Sequence, residues 1–517
     1  MAFTKDFSVD DVARRLNKRK KYKDVLYFGK KCLCAPSFLR SVKQICEFAC
    51  LDVSALMQNP LLNRIWYRPV VSISAVEPHF TKHSLCCTMY DDNDDDVRWA
   101  YENGAIAIVT DHKVDNIPCI VVDSPQRVYS KMCSYYRNLR KAECIAVTGS
   151  IGKTTVKRMV NCVLKEEFNT FCNLTNRNIL YNVGFFSQHI PANTEFIVQE
   201  VSEDTPNYVE HMSQILCPSV SIITCMDQSH IEAFGSKEAI VNECCSIVKY
   251  MREDGTVIVN KDEFTSFEKL QGKHLITISM SNQSADYYAD DVRIVNDGLV
   301  FNICSKMGRY PVKLHHIYAI HNVTCALYAF AAARIMNEAP ERIIKGLDNF
   351  RMYGVRQNIM KAPDGTLVYA DCYNAVPKSI MTAVLAMKEV PGVKKCIAVL
   401  GDIAETGSYM EQVHEEIASI IDNAPWVDVV IGIGDNTIKA FKKYSFKGNS
   451  TVELCSNIDS AIEKIRKHII DGSIVLFKAS HSMEFDLLIG KIWPDLRKEM
   501  YCEWDDERKW LVDVEIS

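Results

Sequence analysis

The stretch Val147-Thr148-Gly149-Ser150-Ile151-Gly152-Lys153-Thr154-Thr155 decides how the chain is read. It follows the apolar run Cys144-Ile145-Ala146-Val147 and precedes Val156-Lys157-Arg158-Met159-Val160, so it sits where a buried strand turns into a helix. A phosphate-binding loop requires that context. Gly149 and Gly152 let backbone N–H groups turn inward around an anion, and the helix N-terminus adds partial positive charge. Lys153 is placed to reach β- and γ-phosphate oxygens, and the Thr154 hydroxyl to complete a Mg2+ shell that otherwise keeps waters. Ser150 and Thr155 fill out the expected nucleotide contacts. The loop is the short G-x-x-G-K-T-T form, with Val147 standing where a longer motif carries its first glycine.

Outward from this loop the chain alternates short apolar runs with amphipathic segments. Phe196-Ile197-Val198, Val220-Ser221-Ile222-Ile223 and Val257-Ile258-Val259 read as strands. A second series follows: Leu367-Val368-Tyr369-Ala370, Cys396-Ile397-Ala398-Val399-Leu400, Val427-Asp428-Val429-Val430-Ile431 and Ser473-Ile474-Val475-Leu476-Phe477. Upstream, Pro69-Val70-Val71-Ser72-Ile73-Ser74, Ala105-Ile106-Ala107-Ile108-Val109 and Cys119-Ile120-Val121-Val122 are strand-like, and the acidic run 91–96 reads as a solvated turn opening a helix. The pattern predicts an α/β protein with mostly parallel sheets covered on both faces. The expected division is an extension at 1–65, a small α/β N-terminal domain at 66–140, a central phosphate-loop domain at 141–352 and a C-terminal α/β domain at 353–517.

Composition fits this and narrows the function. The 517 residues are 48% hydrophobic and 24% charged, ordinary for a globular protein. Sixty Lys+Arg against 65 Asp+Glu give a net charge of −5, which argues against a general nucleic-acid binder. No apolar run approaches the ~18 residues of a membrane span, and the first residues lack a secretory h-region. The 21 cysteines are scattered through predicted strands and helices, and Cys32-x-Cys34 and Cys46-x3-Cys50 lack zinc spacing. A cytoplasmic protein with reduced thiols is expected. Residues 1–50 carry 12 Lys/Arg and 5 Asp/Glu, a local +7. This is read as a solvated face, with an anionic partner as the alternative.

Several segments together resemble the Mur ligases, ATP-dependent amide-bond-forming enzymes. They are the phosphate loop, Asn173-Leu174-Thr175-Asn176, Glu200 at a strand end, Ser229-His230-Ile231-Glu232-Ala233-Phe234-Gly235-Ser236, His321-Asn322, Arg356, Asp371-Cys372-Tyr373-Asn374-Ala375-Val376-Pro377-Lys378-Ser379, Leu400-Gly401-Asp402-Ile403-Ala404-Glu405 with His414, and Lys478-Ala479-Ser480-His481-Ser482-Met483. The resemblance runs in order from about residue 70 to 490. It implies three domains, the last Rossmann-like. It implies ATP and Mg2+ as cofactors and an acyl-phosphate intermediate. Lys153, Glu200 and His230 become the catalytic residues, with Thr154, Glu200 and His230 around Mg2+. Asn322, Arg356 and Asp371 would hold the nucleotide, and Asn173, Asn374, Lys478 and Ser480 the substrates. The partners implied are small molecules: a carboxylate or UDP-sugar peptide and an amino acid or dipeptide. A UDP-muramyl tripeptide with D-Ala-D-Ala leads, cyanophycin- or folate-type pairs and a non-catalytic nucleotide-binding scaffold being the alternatives. Taken singly, Glu200 also suits a helix cap, His230 a loop histidine, and Arg356 with Asp371 a structural ion pair.

The sequence departs from the family at defined places. A lysine that the family typically carbamylates to hold a second Mg2+ falls at Cys244, and a thiol cannot form that carbamate. Glu243 is the neighbouring candidate for the missing oxygen. Ser72-Ile73-Ser74-Ala75-Val76-Glu77 lacks the arginine of the family's uridine-binding stretch. Cys325, Ala479 and His481 replace an Asn, a Gly and an Arg.

Overall fold

Runs such as Ile145–Val147 and Ile397–Leu400 are apolar at every position, which suits strands buried on both faces. The computed structural model describes residues 40–76, 80, 82–90, 92–173, 177–226, 231–352, 354–404 and 406–500. The basic stretch Arg14–Lys21, Cys32, Cys34 and His230 lie outside the described residues. The described residues form two compact units: one built from residues up to Tyr288 together with Thr324–Gly346, the other from Ala289–Val323 and 347–500.

After an antiparallel pairing of Arg40–Ser41 with Pro69–Val70 and the helix Val42–Phe48 between them, the first unit forms a parallel sheet of β1 (Ile73–Ala75), β2 (Leu85–Cys87), β3 (Ala107–Thr110) and β4 (Cys119–Val121), in that spatial order. The acidic run is indeed a helix start. Asn93 caps α1 (Asp94–Glu102) and Asp96 bonds back to the Asn93 backbone, so three carboxylates sit at the positive end of the helix dipole. Helix α2 (Pro125–Asn138) starts at a Ser124 cap with Pro125 in its first turn.

A second parallel sheet of the same unit holds β5 (Glu143–Thr148), β6 (Thr170–Cys172), β7 (Phe196–Glu200), β8 (Val220–Ile223), β9 (Thr256–Asn260) and β10 (His274–Ser279), in spatial order β6-β7-β5-β8-β9-β10. Its helices include α3 (Lys153–Leu164), α4 (Leu180–Gln188), α5 (Tyr208–Leu216) and α6 (Lys237–Cys245). Strands after β5 first build to one side and then, from β8, to the other. The carboxyl ends of β5 and β8 therefore flank a topological switch point, where open α/β sheets bind ligands.

Beyond β10 the chain forms β11 (Tyr287–Val295), β12 (Gly298–Ser305) and β13 (Gly308–His315), the last two an antiparallel hairpin. Sequence reading overlooked them because they are only partly buried; β11 carries Asp290, Asp291 and Arg293 in its middle. Helices α7 (Asn322–Ile335) and α8 (Pro340–Asn349) follow.

The second unit contains a six-stranded sheet. Its strands are β14 (Asn358–Lys361), β15 (Leu367–Ala370), β16 (Lys395–Leu400), β17 (Val429–Ile433), β18 (Thr451–Cys455) and β19 (Ser473–Lys478), ordered β14-β15-β19-β16-β17-β18. The β14–β15 pair is antiparallel and the other pairings are parallel. Val427 and Asp428, expected inside a strand, precede β17, and the Asp428 carboxylate instead accepts from the Cys396 N–H at 2.8 Å. Helix α9 (Pro377–Glu389) covers one face with Met387 and Ile380, and α10 (Phe485–Ile492) the other with Phe485 and Leu488. Among the described residues no helix is long and apolar enough to cross a membrane.

The side chain of Gln188 ties helix α4 to the edge of the N-terminal sheet. Gln188, at the end of α4, accepts from the Ile73 N–H at 2.8 Å and donates to the Ile73 carbonyl at 2.9 Å, all three groups buried. It takes the place of a neighbouring strand on the edge of β1. Gln188→Leu keeps the volume and orphans two buried backbone groups. Urea unfolding should then show a loss of about 2–4 kcal/mol.

Candidate active site

The phosphate loop leaves β5 and crosses to Cys225, the second residue after β8. The N–H groups of Ser150 and Ile151 donate to the Cys225 carbonyl at 2.8 and 3.2 Å, pinning the loop over the switch point. Gly149 is required twice. Its φ is +118°, and a Cβ there would lie 2.4 Å from Thr224 Oγ1 and 3.0 Å from the Thr224 nitrogen. Gly152, at φ +93°, opens α3 without a side-chain cap, which leaves the helix N-terminus to an anion. Thr155 lies in the first turn behind it.

Charge converges here from β7. The Thr154 hydroxyl donates to Glu200 Oε1 at 3.2 Å, and Asn178 Nδ2 donates to the same oxygen at 2.7 Å. Glu200 Oε2 lies 3.3 Å from Lys157 Nζ, both side chains buried. Lys153 Nζ donates to the Gly149 carbonyl at 2.5 Å and lies 2.9 Å from Glu203 Oε2. Burial works against the Lys153 charge, but Glu203, Glu200 and Asp204 outweigh it and raise its pKa above the ordinary lysine value. Asn173 is buried, and its Nδ2 donates to the Arg177 carbonyl at 3.1 Å.

Thr154 and Glu200 offer hard oxygens beside a phosphate-shaped loop. Among the described residues no group of three or more His, Cys, Asp or Glu side chains is arranged to hold a metal alone. That donor set fits Mg2+, which keeps waters and binds through one or two carboxylates plus phosphates.

Glu243 is not the substitute expected beside Cys244. Its carboxylate accepts from the N–H groups of Asn207 and Val209 at 2.9 and 2.8 Å, tying down the start of α5. Cys244 is fully buried. Burial, and after it the Glu203 carboxylate, hold its thiol well above the ordinary value, so it stays neutral. Ser236 caps α6, the helix that carries Cys244. In the N-terminal sheet Ser74 Oγ pairs with Ser84 Oγ at 2.7 Å, both buried; Glu77 lies outside the described residues.

In the second unit the candidates gather at the carboxyl ends of β15 and β19. Asp371 pairs with Lys478 (Oδ2 to Nζ 3.0 Å) and accepts from the Gln357 N–H at 3.2 Å. Lys478 Nζ also donates to the Asn374 carbonyl at 2.5 Å, and Ser480 Oγ accepts from the Ala404 N–H at 2.8 Å. The ion partner of Asp371 is thus Lys478, while the Arg356 guanidinium lies 3.7 Å over the Tyr373 ring. Tyr373 in turn stacks on His481, with centroids 5.2 Å apart. Asn322 Nδ2 donates to the Ala319 carbonyl and to Gln357 Oε1, at 3.0 and 3.3 Å. His321 Nε2 faces the same Gln357 oxygen at 2.8 Å. Burial lowers the His321 pKa, so the ring is neutral at pH 7. Gln357 joins the Asn322 and Asp371 segments, yet nothing in its sequence context marked it. Glu203, Lys157 and Asn178 were likewise missed; a second acid three residues after Glu200 was the available signal for Glu203.

Breaking the Asp371–Lys478 pair tests how far it holds the second unit together. Asp371→Asn strands a buried ammonium and should cost about 3–5 kcal/mol in denaturant unfolding. Adding Lys478→Met should recover most of that loss.

Comparison with known proteins places this geometry. Residues 147–333 match the Mur ligase middle domain, and residues 355–481 the Mur ligase glutamate ligase domain. The UDP-N-acetylmuramoyl-tripeptide–D-alanyl-D-alanine ligase of Bacillus subtilis (strain 168) is 27% identical over 404 residues, 76% of this chain and 86% of its own length. The ligase of that name from Escherichia coli (strain K12) is 24% identical over 339 residues, 65% of this chain and 74% of its own. The fold is similar to a crystal structure of MurF from Acinetobacter baumannii, with TM-score 0.73, 22% identity and coverage of 88% of this chain and 98% of that one. It is also similar to the MurF ligase from Thermotoga maritima in complex with ADP, with TM-score 0.69, 21% identity and coverage of 86% and 100%. Two matched domain models in series, about the phosphate loop and the Asp371–Lys478 cluster, make this chain a member of the Mur ligase family.

Proposed function

We propose that the chain uses ATP to join the terminal carboxylate of a UDP-N-acetylmuramoyl tripeptide to the amine of D-alanyl-D-alanine, a step of peptidoglycan precursor synthesis. The observation that carries the ATP half is the meeting of Lys153, Thr154 and Glu200 at the switch point of the central sheet. The substrate pair is supported by the names of relatives that the chain resembles across about three quarters of its length.

In this reading a carboxylate oxygen attacks the ATP γ-phosphorus and ADP leaves, giving an acyl phosphate. The amine then attacks the acyl carbon, inorganic phosphate departs, and the amine gives up a proton. Lys153 neutralises the transferring phosphoryl oxygens, and Gly149, Ser150, Gly152 and Thr155 shape the cradle around the polyphosphate. Thr154 and Glu200 are the residues of the described chain that would hold Mg2+, with His230 assigned to the same role. When bound, that ion supplies charge neutralisation and orientation of the phosphates. Lys157 and Asn178 hold the Glu200 carboxylate in place. Asn322, Arg356 and Asp371 are assigned to the nucleotide, and Asn173, Asn374, Lys478 and Ser480 to the substrates. Buried against Asp371, Lys478 acts by fixing the Asn374 carbonyl and its loop.

Phosphate release measured with ATP, Mg2+ and a panel of UDP-muramyl peptides, amino acids and dipeptides tests this directly, with products read by mass spectrometry. Turnover should need both co-substrates at once. Nucleotide binding with no coupled turnover across the panel would make the chain a scaffold. Lys153→Ala should lower kcat by at least about 10^2-fold; unchanged turnover would remove the loop from the mechanism.

A further inference from the structure

In the second unit two side chains converge on one oxygen. Gln357 Oε1 lies 2.8 Å from His321 Nε2 and 3.3 Å from Asn322 Nδ2. The direction of each bond follows from a single backbone group. The Ala319 carbonyl can only accept, so the Asn322 atom that faces it at 3.0 Å is the amide nitrogen. That nitrogen has a second hydrogen, and the Gln357 atom it meets must then be the oxygen. The His321 nitrogen on the same oxygen must carry its proton, and burial keeps that ring neutral.

Asn322 thus commits both amide hydrogens. What remains is its Oδ1, buried and with no hydrogen-bond partner among the described residues. A buried acceptor left open is unfavourable until a donor reaches it. The side chain assigned to the nucleotide therefore presents an acceptor and no donor. Adenine carries a donor in its 6-amino group. A 6-oxo purine carries an acceptor there, which would meet Oδ1 lone pair to lone pair. Gln357 is also held in a costly backbone state. Its φ is +52°, a left-handed conformation that favours glycine, and its N–H donates to Asp371 Oδ1 at 3.2 Å. Glycine would adopt that turn more readily but would leave His321 and Asn322 without their shared acceptor. Strain kept at a residue whose side chain is so engaged points to a functional constraint.

We propose that Gln357 is a positioning residue for the nucleotide base: it fixes the Asn322 amide with Oδ1 left open, and so makes the site select a 6-amino over a 6-oxo purine. The inference rests on the ATP reading above and deepens it, through a residue that the resemblance did not single out. Gln357 acts through Asn322 and needs no contact with the base itself.

The test uses the full chain with Mg2+ and two probes, ADP and inosine diphosphate, whose bases differ at position 6. Calorimetry gives both Kd values. The unaltered chain should hold ADP about 10–100-fold more tightly, the factor expected for a buried acceptor left unmet. Gln357→Gly accepts the left-handed turn and removes only the side chain. It should weaken ADP about tenfold, the loss of one hydrogen bond to the base, and leave inosine diphosphate where it was. Gln357→Glu keeps an acceptor at the same reach and should keep the preference for ADP. No preference for ADP in the unaltered chain overturns the inference. So does ADP affinity unmoved in Gln357→Gly, an equal weakening of both probes in that variant, which a merely structural role would give, or a preference lost in Gln357→Glu. Failure of the unaltered chain to hold either nucleotide would instead bring down the ATP reading beneath it.

Discussion

Burying an ammonium and a carboxylate together is costly unless each satisfies the other, and this requirement organises the centre of the molecule. The Lys157–Glu200 pair ties the first turns of α3 to the end of β7. That fixes where α3 begins, and with it the positions of Lys153, Thr154 and the glycines before them. Asn178 and Thr154 take up the other oxygen of the same carboxylate, so Glu200 reaches the loop already oriented. A phosphate loop built this way holds its charged and hydroxyl side chains in place beforehand, and such preorganisation is where electrostatic stabilisation is greatest.

The second unit uses the same device at its own strand ends. Asp371 and Lys478 neutralise one another across β15 and β19, and Gln357 bridges from Asp371 to Asn322 and His321. Nearby, Asp402 accepts from the backbone N–H groups of Asn436 and Thr437 at 3.2 and 2.8 Å, capping the helix that begins at Asp435. His414 accepts from the Ile403 N–H at 3.1 Å and holds the turn after β16. With Ser480 Oγ accepting from the Ala404 N–H, these contacts join the Leu400–Ala404 and Lys478–Ser480 segments. His481, next in the chain, stacks on Tyr373 beneath Arg356, so an aromatic ring now occupies a position the family fills with a guanidinium.

The departures from the family pattern have physical consequences that only contacts reveal. Cys244 is packed into the core as a neutral side chain, and Glu243 beside it works as a helix cap. Ser74, in the region where the family reads a uridine, turns inward to Ser84. Substrate selectivity in a shared fold resides in such contacts, and the N-terminal sheet lies before both matched domain segments.

The order of strands and helices was legible because buried parallel strands are apolar throughout; Leu367–Ala370 and Ser473–Phe477 needed no context to be recognised. The phosphate loop was legible because its glycines, lysine and threonine are adjacent in sequence. The partly exposed β11–β13 segment, with charges inside its strands, was not legible, since neither clean alternation nor a continuous apolar run marks it. The partners were not legible either. That Asp371 answers Lys478 rather than Arg356, that Gln357 joins two distant segments, and that Glu203 meets Lys153 all depend on residues separated by 14 to 107 positions. Sequence by itself determined the elements and the loop chemistry, because both are written in local patterns. Tertiary structure alone decided which buried charge faces which, because that choice depends on the strand order that brings distant residues to one edge.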